Sequence, residues 1–271
     1  MLFRSPTYGE YAHVLEQVIG CTVDRLPLSP RDDFAVDLDR LEAAMGDGYD
    51  LVVLVNPNSP TGQHIPRAKL ANALRRAPAH TRVWVDETYV EYAGPGQSLE
   101  HFAAASENVL VCKSMSKVYG LSGARVAYLC AGPHQLEALR AITPPWVVSL
   151  PAQVAAVRAL QDPDYYSTRY LETHALRRDL AQALSGLGLR VIPGIANFLL
   201  CELPAAGPGA AEVVARCRAE GLFLRDASVM GTRLGTHHLR IAVKDAETNQ
   251  RMVTALESAL RLNPQTQTRS S

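Results

Sequence analysis

Residues 51–74 read LVVLVNPNSPTGQHIPRAKLANAL. The five apolar residues Leu51–Val55 form a run of strand length, with no polar residue to face water, as expected of a strand buried on both faces. The next seven, NPNSPTG at 56–62, are turn formers: proline, asparagine and glycine punctuate the backbone there. Pro66 suits the first turn of a helix, and Leu70, Ala73 and Leu74 give that helix an apolar side. Strand, polar loop and helix therefore follow one another within 24 residues.

The strand pattern recurs outward from this stretch. Arg82–Val85 (RVWV) reads as a second strand ending at Asp86, Val109–Cys112 (VLVC) as a third and Val126–Cys130 (VAYLC) as a fourth. The rhythm predicts an α/β fold with a mostly parallel sheet and helices on both faces. Ligands of such sheets bind at the carboxyl ends of the strands. Three of the four strands run there into loaded loops: NPNSPTG at 56–62, DETY at 86–89 and SMSK at 114–117.

Beyond Pro151 the pattern changes. A long helix is expected, with Leu176, Leu180, Ala183, Leu184 and Leu187 on one stripe. Gly186 and Gly188 fall where a C-terminal cap belongs. They also match the start of a glycine-rich phosphate loop, but Val191 stands in place of the third glycine, and the cap is the better reading. Short strands are expected at Phe198–Cys201 and Leu239–Val243. A last helix carries Met252, Val253, Leu256 and Leu260, with Asp245 as its cap. The expected layout is a large domain over 1–162, a smaller C-terminal α/β domain over 163–262, and a polar, disordered tail at 263–271 (NPQTQTRSS).

Apolar residues make up 47% of the 271, enough for a sizeable core. Lysine plus arginine equals aspartate plus glutamate at 27 each, which argues against broad nucleic-acid or anionic-membrane binding. The five cysteines are scattered, odd in number and without CxxC spacing, so neither a disulfide framework nor a metal site is expected. No signal-peptide core or membrane-span stretch is present. A cytoplasmic setting and small-molecule partners are the expectation.

Certain residues carry chemistry. Lys117, in SMSKVYGLSGAR, has a primary amine that can attack an aldehyde. Ser114 and Ser116 precede it and Arg125 follows, and hydroxyls with a guanidinium suit a phosphate dianion. An ordinary polar turn fits the segment equally well. Asp86 ends an apolar strand, where a carboxylate is costly to bury without a cationic partner. A protonated pyridine nitrogen would be such a partner, and Tyr89 could then donate to a phenolic oxygen on the same ring. A local backbone acceptor role for Asp86 is the alternative. The Tyr8 ring could stack on a flat cofactor, or simply pack. Arg240, within the apolar LRIAV, calls for an anion, either a substrate carboxylate or a structural partner. Arg225, in FLRD, poses the same choice.

Together these residues resemble, over almost the whole chain, the histidinol-phosphate aminotransferase group of pyridoxal-phosphate (PLP) enzymes of fold type I. Threonine-phosphate decarboxylase belongs to the same group. PTYGEY at 6–11 resembles the segment whose aromatic stacks on the pyridine ring, which implies Tyr8. NPNSPTG resembles NPNNPTG, and VDETY resembles the family's DEAY. These imply Asn58 and Ser59 near the cofactor, Asp86 at the ring nitrogen and Tyr89 at the phenolic oxygen. SMSKVYGLSGAR resembles SLSKxxGLAGLR and implies Lys117 as the Schiff-base lysine, with Ser114, Ser116 and Arg125 at the phosphate. Asn197 in ANFLL and Arg240 in LRIAV resemble the substrate-carboxylate side. Arg225 resembles the arginine that meets a substrate phosphate.

The implied function is transamination between an amino acid or amino phosphate ester and a 2-oxo acid, in a homodimer. Amino-acid decarboxylation is the alternative, because PPW at 144–146 and RLGTHHLRIAVK at 233–244 look closer to the decarboxylase branch. A weakly binding, non-catalytic homologue is a third. Two departures stand out. Ser59 occupies the position of the family asparagine that reaches the phenolic oxygen, and its side chain is shorter. The sequence also begins a few residues before Tyr8, without the family's preceding glycine-rich segment, so loose PLP retention is expected.

Overall fold

A computed structural model describes residues 1–231 and 233–261. The expected disordered tail at 263–271 lies outside the described residues. Six strands form the first sheet: β1 (Leu2–Ser5), β2 (Asp24–Pro27), β3 (Leu51–Val55), β4 (Arg82–Asp86), β5 (Val109–Ser114) and β6 (Ala127–Cys130). Their order is β2-β1-β3-β4-β5-β6. All neighbours are parallel except β5 and β6, which run antiparallel. The mostly parallel α/β sheet of the sequence reading is present, with its fourth expected strand turned about as an antiparallel edge.

Parallel strands buried on both faces account for the unbroken apolar run of β3. Val52 and Leu54 enter one core with Val83 and Val85 of β4 and Val109 and Val111 of β5. Val53 faces the other way and packs with Phe3 and Leu15. That second cluster is capped by α1 (Gly9–Ala12) and the π-helical turn His13–Val18 that continues it. Arg4 of β1 is buried and donates to the Val55 carbonyl.

The second sheet contains β7 (Arg190–Ile192), β8 (Phe198–Glu202), β9 (Arg225–Asp226) and β10 (His238–Ala242), in the order β7-β8-β10-β9. All its pairings are antiparallel. Its core takes in Leu199, Cys201, Leu239 and Ile241 with Met252 and Leu256. The last two lie on the final helix, Ala246–Leu260, whose N-terminus is capped by Asp245 accepting from Thr248 N–H at 2.8 Å. The long helix expected beyond Pro151 is two helices. Leu150–Leu160 is capped by Ser149, and Pro163–Gly186 is capped by Asp162. Proline cannot supply a helix-interior N–H, so the Asp162-Pro163 step ends one and starts the other. The longer helix stops as expected, with Gly188 in the left-handed region at φ +85°.

The two sheets meet where loop 56–62 lies against the chain leading into β8. Ile195 N–H donates to Gly62 O at 3.0 Å, and Gln63 Nε2 donates to Pro193 O at 2.8 Å. Gly62 has φ +72°, and a Cβ there would stand 3.0 Å from Gly194 Cα.

Behind the end of β4 lies a buried ionic group. Lys113 Nζ is 2.6 Å from Glu91 Oε1 and 3.8 Å from Glu87 Oε2. Glu87 also accepts from Ser98 Oγ at 2.5 Å and Leu99 N–H at 2.8 Å. Burial outweighs these contacts and pushes the Glu87 carboxyl up to about 7. A folded value above the unfolded one means that the folded state keeps a proton the unfolded state releases. Glu87 therefore favours folding fully at low pH and loses that contribution as pH rises through about 7. Glu87→Gln is expected to flatten stability against pH across this window. Urea unfolding of both proteins at pH 5 and pH 8 checks it, and equal pH slopes would contradict it.

Candidate active site

Four parallel strands deliver loops to one edge of the first sheet. β1 runs into Pro6-Thr7-Tyr8, β3 into loop 56–62, β4 into Asp86–Tyr89 and β5 into Ser114–Lys117. Between these loops and the second sheet lies a cavity of about 300 Å³. Tyr8, Ser59, Asp86, Tyr89, Ser114, Ser116, Lys117, Arg125, Arg225 and Arg240 all line it. Residues as distant in sequence as Tyr8 and Arg240 are thus brought together.

The Lys117 end has the character of an anion site. After β5 the chain turns, with Leu121 N–H donating to Met115 O at 3.1 Å and Gly120 N–H donating to Lys117 O at 3.2 Å. Met115 is buried beneath the turn, and Lys117 is exposed toward the cavity. The Ser114 and Ser116 hydroxyls are 2.8 Å apart. Arg125 donates from Nη1 to Ser122 O at 2.8 Å and has φ +53°. A left-handed backbone in a non-glycine residue stores strain and marks sites where side-chain placement matters.

The Asp86 end is a fixed acceptor. Asp86 Oδ1 accepts from Thr88 N–H at 2.9 Å and from Thr88 Oγ1 at 2.6 Å, while Oδ2 accepts from Tyr11 Oη at 2.8 Å. Nearby groups respond to this carboxylate. Burial first, then the Asp86 charge, pushes the Cys112 thiol up to about 12. Burial raises Tyr89 to about 12, with Arg240 opposing and Asp86 adding, so its hydroxyl keeps its proton and remains a donor. Tyr8 is also raised, by burial first, and the residue is 44% exposed and lines the cavity.

On the second sheet, Arg240 donates from Nη1 to Ser59 Oγ at 3.0 Å, and its guanidinium lies over the Phe198 ring, 5.2 Å from the centroid. Burial, and then Arg225, lower its affinity for its proton. Ser59, the departure from the family motif, is thus the partner of Arg240.

Two expected residues are placed elsewhere. Asn58 does not line the cavity: it is fully buried, accepting from Thr7 Oγ1 and donating to Pro6 O and Thr61 Oγ1, all within 2.9–3.0 Å. It supports the loops of β1 and β3 rather than facing a ligand. Asn197 is half-buried just ahead of β8 and is not among the lining residues. Thr88, Ser122 and Tyr11 were not singled out from sequence. Thr88 had a local signal, an Asp with a hydroxyl residue two positions on.

The donor set fits PLP. One end of the cavity offers two hydroxyls and a guanidinium for a dianion, the other a held carboxylate for a ring cation, and the primary amine of Lys117 lines the same cavity. Comparison with known proteins agrees. The profile of the family "Aminotransferase class I and II" matches residues 1–256. The histidinol-phosphate aminotransferase 1 of Cupriavidus pinatubonensis (strain JMP 134 / LMG 1197) is 32% identical over 264 residues, which are 95% of this chain and 69% of that protein. The histidinol-phosphate aminotransferase of Sinorhizobium meliloti, solved in complex with pyridoxal-5'-phosphate, superposes with a TM-score of 0.83 at 26% identity, covering 96% of this chain and 69% of that one. A decarboxylase from Sulfurospirillum multivorans gives a TM-score of 0.85 at 26% identity, covering 96% and 75%.

The chain belongs to the class I and II aminotransferase family. It is a PLP-dependent aminotransferase of fold type I.

Proposed function

We propose that the site transfers an amino group from a phosphate-bearing amino donor, of the histidinol-phosphate kind, to a 2-oxo acid such as 2-oxoglutarate. One observation carries this: Arg225 and Arg240, on neighbouring strands of the second sheet, both line the cavity that Lys117 faces. Two guanidiniums suit a donor with a phosphate and an acceptor with two carboxylates.

PLP, when bound, supplies an aldehyde and a ring that withdraws electrons from the substrate Cα. Ser114, Ser116 and Arg125 hold its phosphate. Asp86 holds a proton on the ring nitrogen, and Tyr89 donates to the phenolic oxygen. Lys117 Nζ would take the Cα proton as a base and, as the resulting acid, give it up at the cofactor's aldehyde carbon, the 1,3-transfer that transamination requires. Arg240 leaves Ser59 to take a carboxylate, and Arg225 takes the second anionic group. The likeness to a decarboxylase supports a second reading, in which the same residues direct loss of carbon dioxide instead.

The test uses histidinol phosphate, threonine phosphate and glutamate as donors, following glutamate or 2-oxo acid formation beside carbon dioxide release. Carbon dioxide without amino transfer would replace the first reading by the second. Arg225→Ala should lower kcat/KM for phosphorylated donors by roughly 10- to 100-fold, as expected for a lost hydrogen bond to a charged group, and spare unphosphorylated ones. Unchanged preference would remove Arg225 from the phosphate.

The division near residue 162, a cytoplasmic setting and a homodimeric working form complete the proposal. Two features support the last two. The five cysteines are free thiols. Trp146, Leu150, Val154 and Val157 leave an apolar stripe exposed. Among the described residues, no helix is long and apolar enough to cross a membrane.

A further inference from the structure

Asp86 does not meet the cavity alone. It stands at the end of β4, two residues beyond Trp84, and the period of a strand puts both on one face, with Val83 and Val85 in the core on the other. That face is covered by the short helix that follows Tyr8. Tyr11 lies one helical turn beyond Tyr8, with ring centroids 6.1 Å apart and planes at 81°. Trp84 Nε1 donates to Tyr11 Oη at 2.9 Å, and Tyr11 Oη donates to Asp86 Oδ2 at 2.8 Å.

We propose that Tyr11 is a positioning residue: its hydroxyl, itself fixed by the Trp84 indole, holds the Asp86 carboxylate in the orientation that recognises a protonated ring nitrogen. This rests on the Asp86 role proposed above. The directions are forced. An indole N–H can only donate, so Tyr11 Oη receives from Trp84 and sends its own proton to Asp86. With Oδ1 held by Thr88 and Oδ2 by Tyr11, the carboxylate plane is set from both sides. Burial, and then the Asp86 charge, raise Tyr11 well above the ordinary tyrosine value, so the donor is not lost at any working pH. Tyr8 and Tyr11 divide the labour of one turn. The first presents a ring at the cavity edge, and the second presents a hydroxyl to the acid beneath.

The test compares PLP with its 1-deaza analogue, in which carbon replaces the ring nitrogen, by equilibrium dialysis against the full chain. The wild type should prefer PLP strongly. Tyr11→Phe, which keeps the ring and its packing, should reduce that preference by roughly tenfold, within the range for a hydrogen bond to a charged group. Its affinity for the deaza analogue should stay unchanged. Trp84→Phe should reduce the preference in the same direction by less, and it decides the matter if Tyr11→Phe fails to fold. A wild type indifferent to the ring nitrogen would overturn the Asp86 role and this inference together. A strong wild-type preference that both variants retain, or a loss that falls equally on both ligands, would overturn the inference alone.

Discussion

Lys117→Ala should lower turnover by at least about 10³-fold, since a positioned acid–base group alone contributes typically 10²–10⁴-fold and this amine also meets the aldehyde. Its position supports the expectation, because the turn after β5 exposes Lys117 to the cavity. The neighbouring candidate is Lys113, which is 4% exposed with its ammonium 2.6 Å from Glu91 Oε1. Borohydride reduction of the PLP-loaded protein followed by peptide mapping separates the two. The label should sit on Lys117. A label on Lys113, or an alanine variant with near-normal turnover, would sink the assignment.

Asp86→Asn is the second large effect. Removing one partner of a buried ion pair costs about 3–5 kcal/mol, or roughly 10²–10⁴-fold in an equilibrium. Both PLP affinity and turnover should fall by amounts of that order. Asp86→Glu should recover part of the PLP affinity, because the charge returns although its reach changes. Dialysis against graded PLP, with turnover measured at saturation, resolves the two losses. Asp86→Asn with undiminished PLP affinity and turnover would show that the ring nitrogen is held by something else.

The loops that carry Lys117, Asp86 and Ser59 were legible because each follows a strand whose apolar run is unbroken. β1 was not, since the buried Arg4 interrupts its run, and β2, Asp24–Pro27, contains two charges and a proline. With β1 unseen, the loop bearing Tyr8 could not be tied to the same sheet edge as the others. Asn58 and Ser59 show a different limit. They are adjacent and both polar, and only the path of loop 56–62 decides that Ser59 lines the cavity while Asn58 binds Pro6, Thr7 and Thr61. Tyr11 reaches Asp86 across 75 positions of sequence, a pairing that no local pattern records. The break at Asp162-Pro163 was missed, although a proline at a helix start was a local signal for it.

The contact between Gly62 and Gly194 restricts which changes this chain tolerates. A Cβ on either residue would lie 3.0 Å from the other's Cα. In most packed pairs, growth on one side can be offset by shrinkage on the other. Here neither side has anything left to give up, so no second-site change at the partner can rescue the first. A library that diversifies the two positions together should therefore return glycine at 62, where φ +72° adds to the crowding, and strongly favour glycine at 194.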